Sequence, residues 1–301
     1  FIWQQAPHPL VQQSVDAAAE LGVTKFRSPI AGSLYALVSD HVVQERVVFP
    51  GAGYLEMARA ARCAAENDTA RTMLRKTYFL QPLFLQTPTD AVLSCDVNLE
   101  KESFEIFSTD VEQERTVHCA GDALALSDVP TAPDALAVRE QSSRTLEPAT
   151  LYDAFRRIGL GYGSAYRPIT NIWVGHSGVA MASMRKRSNL FGTRVHPADL
   201  DGALQLTSVL AEGTSDETRL PFMVAEAALS TTGGRLGAVV EREGTNTSRV
   251  WLSRTTIDGT AGAQLRGFET RVLKAMARPI TRRETHMYMT TWTKLESSKL
   301  V

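Results

Sequence analysis

Only three cysteines, Cys63, Cys95 and Cys119, occur in 301 residues, and none forms a Cys-x-x-Cys pair. A disulfide scaffold and a zinc cage are thereby disfavoured, and a reducing cytoplasm fits best. A dominant charge is also lacking: 32 Lys and Arg face 33 Asp and Glu, for a net charge of −1. Such a balance gives no overall attraction to nucleic acid or to an anionic membrane. No apolar run approaches the roughly 18–20 residues that a membrane-spanning helix needs. The opening Phe1-Ile2-Trp3-Gln4-Gln5 has neither an initiator Met nor the basic-then-apolar layout of a signal peptide, so the chain reads as a piece of something longer. What is present is ordinary globular usage, 44% hydrophobic and 22% charged. That is enough for one large domain or two of about 150 residues.

Two long stretches alternate apolar and polar residues, and each holds one clear helix. After an irregular opening, Tyr35 to Phe49 reads as strand, turn, strand, stopped by Pro50-Gly51. From Gly53 to Glu66, Glu56, Arg59, Arg62 and Glu66 recur at helical spacing opposite Tyr54, Met57, Ala58, Ala61 and Ala65, which predicts an amphipathic helix. Strand-like segments follow at 73–85, 91–99, 103–108 and 115–126. Residues 127–148 lack an apolar period and read as a linker. A short helix is expected at 149–158, a strand-like stretch at 172–184, and a second clear helix from Pro197 to about Glu212. Further strands are expected at 236–242, 249–256 and 263–273. Helix-then-strands thus occurs twice, an architectural repeat. The basic segment 276–301 reads as a tail or an inter-domain linker.

Three places could carry chemistry. His41, just ahead of the first helix, has the imidazole a general base needs, although a lone histidine more often serves structure. Asp201 and Gln205 lie four apart and share a helix face with Ser208 and Glu212. Such a stripe is ordinarily a solvated face; in a dry cleft it becomes a carboxyl group held by an amide, with a raised pKa. Gly161-Tyr162-Gly163 suits a tight backbone presenting a phenol, and a phosphate loop is rejected because no strand precedes it and no helix follows. His118-Cys119 lacks partners at metal spacing. Arg185-Lys186-Arg187 reads as an exposed turn.

In this order, these motifs resemble the dehydratase domain of modular type I polyketide synthases, from His8 to about Leu273. His8-Pro9-Leu10 is similar to that family's opening. Residues 40–56 are similar to its His-x3-Gly-x4-Pro signature and the helix after it. Gly161 to Tyr166 stands where the family has a Tyr-Gly-Pro-x-Phe element. His196 to Gln205 is similar to its His-Pro-x3-Asp-x3-Gln/His helix, and Leu220-Pro221-Phe222 also matches. Tyr288 to Trp292 looks like the start of a following ketoreductase. Glu45 stands in place of the signature's glycine, and Ser164 in place of the proline after Tyr-Gly.

The resemblance implies an α+β double hot-dog, two curved antiparallel sheets each wrapped around a central helix. Residues 1–130 and 149–275 would be the halves, 131–148 the linker between them, and 276–301 a linker onward. It implies dehydration of β-hydroxyacyl thioesters on an acyl carrier protein, with His41 and Asp201 catalytic. Gln205, Tyr162, Gly163, Pro50 and Gly51 would support them or bind substrate. No metal or cofactor would be bound, the phosphopantetheine arm belonging to the carrier. Neighbouring synthase domains would be partners in a cytoplasmic megasynthase, with homodimer formation left open, and neither nucleic acid nor a membrane span is expected. A same-fold cyclase and a silent structural module are the alternatives, and Glu45 and Ser164 are the departures that keep the second alive.

Overall fold

The computed structural model describes residues 8–15, 22–66, 71–85, 91–109, 114–176, 178–210, 217–232, 234–254 and 260–273. The basic C-terminal segment and the Tyr288–Trp292 stretch lie outside them.

The first half runs β1 (Gln13–Val15), β2 (Val23–Pro29), α1 (Gly32–Val38), a hairpin of β3 (Val42–Val43) and β4 (Arg46–Val48), and α2 (Gly51–Ala65). It continues through β5 (Thr72–Phe79), β6 (Phe84–Leu85), β7 (Val92–Asn98), β8 (Ser103–Thr109) and β9 (Arg115–Ala125). The second half runs α3 (Ala135–Glu140), β10 (Ser142–Leu146), α4 (Pro148–Arg157), a 3-10 turn (Ser164–Tyr166), β11 (Ile169–Gly175) and β12 (Val179–Met184). Then come α5 (Pro197–Gln205) with a 3-10 extension (Leu206–Leu210), β13 (Arg219–Leu229), β14 (Leu236–Arg242), β15 (Thr247–Arg254) and β16 (Ala261–Val272). Among these residues, 13 strands form one antiparallel sheet in the order β1-β2-β7-β8-β9-β5-β13-β16-β15-β14-β12-β11-β10. Its first part packs on α2 and its second on α5, which is the double hot-dog; β5 pairing with β13 joins the two parts edge to edge.

Three local expectations change. The opening is not irregular: it holds β2, and Tyr35–Val38 belongs to α1 rather than to a strand. Residues 131–148 are not an unstructured linker. They carry α3, capped by the Asp134 carboxylate, and the edge strand β10. This segment crosses the outer face of the sheet's second part, where Ala132, Ala135 and Val138 pack with Met181, Val239 and Trp251. Five successive residues of β14, Leu236 to Val240, are therefore buried, and alternation is lost because both faces are covered. Finally, α2 is no surface helix. Gly51 through Cys63 are all buried, and its polar stripe is neutralised internally.

That neutralisation is specific. Glu56, with a side chain 0% exposed, accepts from Arg59 Nε and Nη2, both at 2.7 Å, and sits 3.0 Å from His8 Nε2. It also accepts the backbone N–H groups of Arg194 (2.7 Å) and Val195 (3.3 Å) from the second half. Burial alone would raise its carboxyl pKa; Arg59 and His8 override that and hold it down at about 2. No described helix is long and apolar enough to cross a membrane.

Candidate active site

The β3–β4 hairpin aims His41. Val48 N–H donates to the His41 carbonyl at 3.0 Å, and His41 Nδ1 donates to the Val48 carbonyl at 2.7 Å. A carbonyl can only accept, so Nδ1 carries a hydrogen, and in the neutral imidazole the lone pair is the one on Nε2. The hairpin's two turn residues, Gln44 (φ 48°) and Glu45 (φ 63°), are left-handed, the conformation that glycine adopts most cheaply. Glu45 therefore carries backbone strain, yet the bonds that fix His41 are intact.

A second ladder holds this hairpin to the other half. Gln44 N–H donates to Gly159 O (2.6 Å), Gly161 N–H to Val42 O (2.9 Å) and Gly163 N–H to Asp40 O (2.7 Å). That antiparallel register places Tyr162 opposite His41, and their ring centroids are 5.5 Å apart. Tyr166, which sequence reasoning did not single out, is fully buried with its ring 5.3 Å from His41 and its hydroxyl donating to Leu37 O at 3.3 Å.

Helix α5 brings the carboxyl group. His196 caps it, its Nδ1 accepting from Ala198 N–H at 3.1 Å, and Pro197 fills the first turn. Burial and the nearby Arg187 push the His196 imidazole down to about 3, against the pull of Glu56, so it remains a neutral acceptor. Contrary to the exposed-turn expectation, Arg187 is half-buried and donates to Asp199 Oδ1 at 2.7 Å.

The α5 part of the polar stripe, Asp201 and Gln205, is not solvated, whereas Ser208 lies beyond α5 on the 3-10 extension and is exposed, and Glu212 lies outside the described residues. Asp201 and Gln205 are each 5% exposed and His41 is 6% exposed. Asp201 Oδ1 lies 3.7 Å from His41 Nε2, and Asp201 Oδ2 accepts from Gln205 Nε2 at 2.8 Å. The same Nε2 donates to Tyr166 O at 2.9 Å. Burial raises the Asp201 carboxyl above its ordinary range, more than His41 and Gln205 lower it. Burial, then the Asp201 charge, also raises the Tyr162 phenol, so it stays a donor at neutral pH.

Pro50 precedes α2 in extended conformation, and Gly51 opens the helix against the Pro221 ring. Among the described residues no cluster of three His, Cys, Asp or Glu could hold a metal. A basic cleft of about 630 Å³, lined by Arg139, Trp173, Arg185, Lys186 and Arg235 among others, lies on the outer face of the sheet's second part and includes none of these groups.

Known proteins match most of the chain in sequence and in fold. The family profile "Polyketide synthase dehydratase domain" matches residues 8–109, and "Polyketide synthase dehydratase N-terminal domain" matches residues 130–279. The chain is 30% identical over 242 residues to polyketide synthase PksM of Bacillus subtilis (strain 168), covering 73% of this chain and 6% of that protein. It is 30% identical over 232 residues to PksN of the same strain, covering 73% and 4%. The chain thus spans a small fraction of these relatives' length. The dehydratase domain from the CurF module of curacin polyketide synthase superposes with a TM-score of 0.80 at 25% identity, covering 89% of this chain and 100% of that one. A trans-AT polyketide synthase dehydratase domain from Brevibacillus brevis gives 0.74 at 27% identity, covering 90% and 100%.

Proposed function

The chain belongs to the polyketide synthase dehydratase family, and on that premise we propose that His41 and Asp201 are its base and acid. The observation that carries this is the tautomer-fixed Nε2 of His41 facing Asp201 Oδ1 from the opposite half. A domain of this family eliminates water from β-hydroxyacyl intermediates during polyketide assembly and leaves an α,β-unsaturated acyl chain.

The thioester carbonyl acidifies the hydrogen on C2, and Nε2 of neutral His41 takes it. The released electron pair forms the C2–C3 double bond as the C3–O bond breaks. Asp201, protonated, gives its proton to the departing hydroxyl, and water leaves. Imidazolium and carboxylate then stand 3.7 Å apart, and one proton passing from Nε2 to Oδ1 restores both. Gln205 orients Asp201, and the Tyr162 phenol donates to the substrate hydroxyl or carbonyl. Gly163 keeps that loop tight. Charge developing on the thioester oxygen meets the N–H groups of Gly51 and Ala52, where Pro50 starts α2 and the helix dipole is positive.

The substrate arrives on the phosphopantetheine arm of an acyl carrier protein, so the chain needs no cofactor of its own. Neighbouring synthase domains are the other partners, with 1–130 and 149–275 as halves, the second extended by α3 and β10 from 131–148, and 276–301 leading onward. We place the domain in the cytoplasm, in keeping with cysteines that are buried and not joined in disulfides.

Incubation with β-hydroxyacyl pantetheine thioesters tests the assignment. Mass spectrometry should show loss of one water with the wild type and not with His41→Ala. A cyclised product of unchanged mass would indicate a cyclase, and an inert wild type a silent module.

A further inference from the structure

Asp40 lies beside His41 in sequence, but its carboxylate faces the opposite half. Oδ2 accepts the Ala165 N–H at 2.8 Å and faces the Ser164 hydroxyl at 3.5 Å, while the Asp40 carbonyl accepts Gly163 N–H at 2.7 Å. The 3-10 turn Ser164–Tyr166 has no side-chain cap from its own N-cap residue, Gly163. Asp40 supplies that cap from the first half. Gly163 makes room for it, because a Cβ there would lie 2.4 Å from Asp40 Cγ.

The capped turn ends at Tyr166, whose carbonyl accepts from Gln205 Nε2, and that nitrogen also holds Asp201 Oδ2. A closed circuit results: His41, Asp40, the turn, Gln205, Asp201, and back across 3.7 Å to His41. We propose that Asp40 is a positioning residue that fixes the separation of His41 and Asp201 by capping, from one half, the turn on which Gln205 is anchored. This rests on the assignment of His41 and Asp201 as base and acid. A cap that served stability alone would change the melting temperature and leave kcat untouched; a positioning cap changes kcat, since small misplacements of reacting groups cost large factors in rate.

The test compares Asp40→Ala with Asp40→Asn, whose amide oxygen can still accept the Ala165 N–H. With a pantetheine thioester, kcat should fall about tenfold or more in Asp40→Ala with KM within about twofold, and Asp40→Asn should recover most of it. Hydrogen exchange of the Ala165 amide should quicken in Asp40→Ala and not in Asp40→Asn. Wild-type kcat in Asp40→Ala, or equal impairment in both variants, overturns the proposal. An arm without turnover separates it from the dehydratase assignment: His41 imidazole NMR signals of the resting protein should move in Asp40→Ala and return in Asp40→Asn. No movement overturns the proposal even where the wild type is inert, whereas an inert wild type alone overturns only the dehydratase assignment.

Discussion

Replacing Glu56 by glutamine removes one charge from a place with no water to compensate. The Glu56 side chain is 0% exposed and that of Arg59 is 4% exposed, so Arg59 would keep a buried positive charge without its counter-ion. Breaking a buried pair by removing one partner costs about 3–5 kcal/mol. The carboxyl group itself leads to a similar figure. Its pKa is held at about 2 against an ordinary 4.5, and at about 1.4 kcal/mol per unit the difference is about 3 kcal/mol. Because the folded value is depressed, this stabilisation is full above pH 4.5 and is lost as pH falls toward 2. Urea unfolding of wild type and Glu56→Gln should therefore differ by about 3 kcal/mol at neutral pH, with the gap narrowing as the solution is acidified below 4.5. A gap under about 1 kcal/mol at neutral pH, or one independent of pH, would refute the buried-pair reasoning.

Asp201→Asn should keep the melting temperature and lower kcat by about 10²–10⁴-fold. Its alkaline limb of kcat/KM should also disappear, because the wild-type limb reports Asp201 losing a proton that burial makes it retain above the ordinary carboxyl range; a surviving limb would assign that titration elsewhere. Ser164→Pro should leave turnover intact and raise stability by about 0.4–1 kcal/mol in thermal or urea unfolding. Gly163 already has the φ −76°, ψ 178° that a residue before proline requires, and position 164 opens a 3-10 turn. A large loss would show that the Ser164 hydroxyl matters more than its 3.5 Å contact suggests. Glu45→Gly should leave kcat equal or higher and stability equal or up to about 1 kcal/mol higher, since left-handed strain is relieved while unfolded-chain entropy increases; a collapse of activity would mark Glu45 as a functional carboxylate.

Much of the fold was legible because helices and strands write their periods into the chain. The helix at Gly51–Ala65 and the strand Leu236–Arg242 lie where spacing places them. What the period does not encode is which polar stripe meets water. Glu56 and Arg59 read as a solvated face, as spacing alone would also read Asp201 and Gln205 before the family resemblance puts them in a dry cleft, and all four are buried because a curved sheet encloses each helix. Arg187 was misplaced for the same reason: its partner Asp199 is close in space but sits in a different element. The strand β10 and helix α3 escaped because Ala132, Ala135 and Val138 pack on a secondary core with Met181, Val239 and Trp251, leaving only Leu146 of this segment against the main one. Asp40 and Tyr166 needed the register of the 40–44 and 159–163 ladder, which no single-chain pattern reveals.

That ladder also explains how Glu45 and Ser164 can depart from the family pattern without dismantling the site. The halves are joined largely through main-chain groups: β5 to β13, and the hairpin to 159–163. Main-chain bonds are indifferent to side-chain identity as long as the backbone conformation is affordable. A left-handed Glu45 costs about 1–2 kcal/mol, which a domain with a continuous core across both sheets can absorb. Side chains that cross the seam have no such latitude. His41, Asp40 and Glu56 each act on a specific atom of the other half, where a change of charge or length cannot be made good by the backbone. Substitutions of seam-crossing side chains should therefore be far costlier than substitutions in the turns that carry them, even though the turns lie nearer the motifs by which the family is recognised.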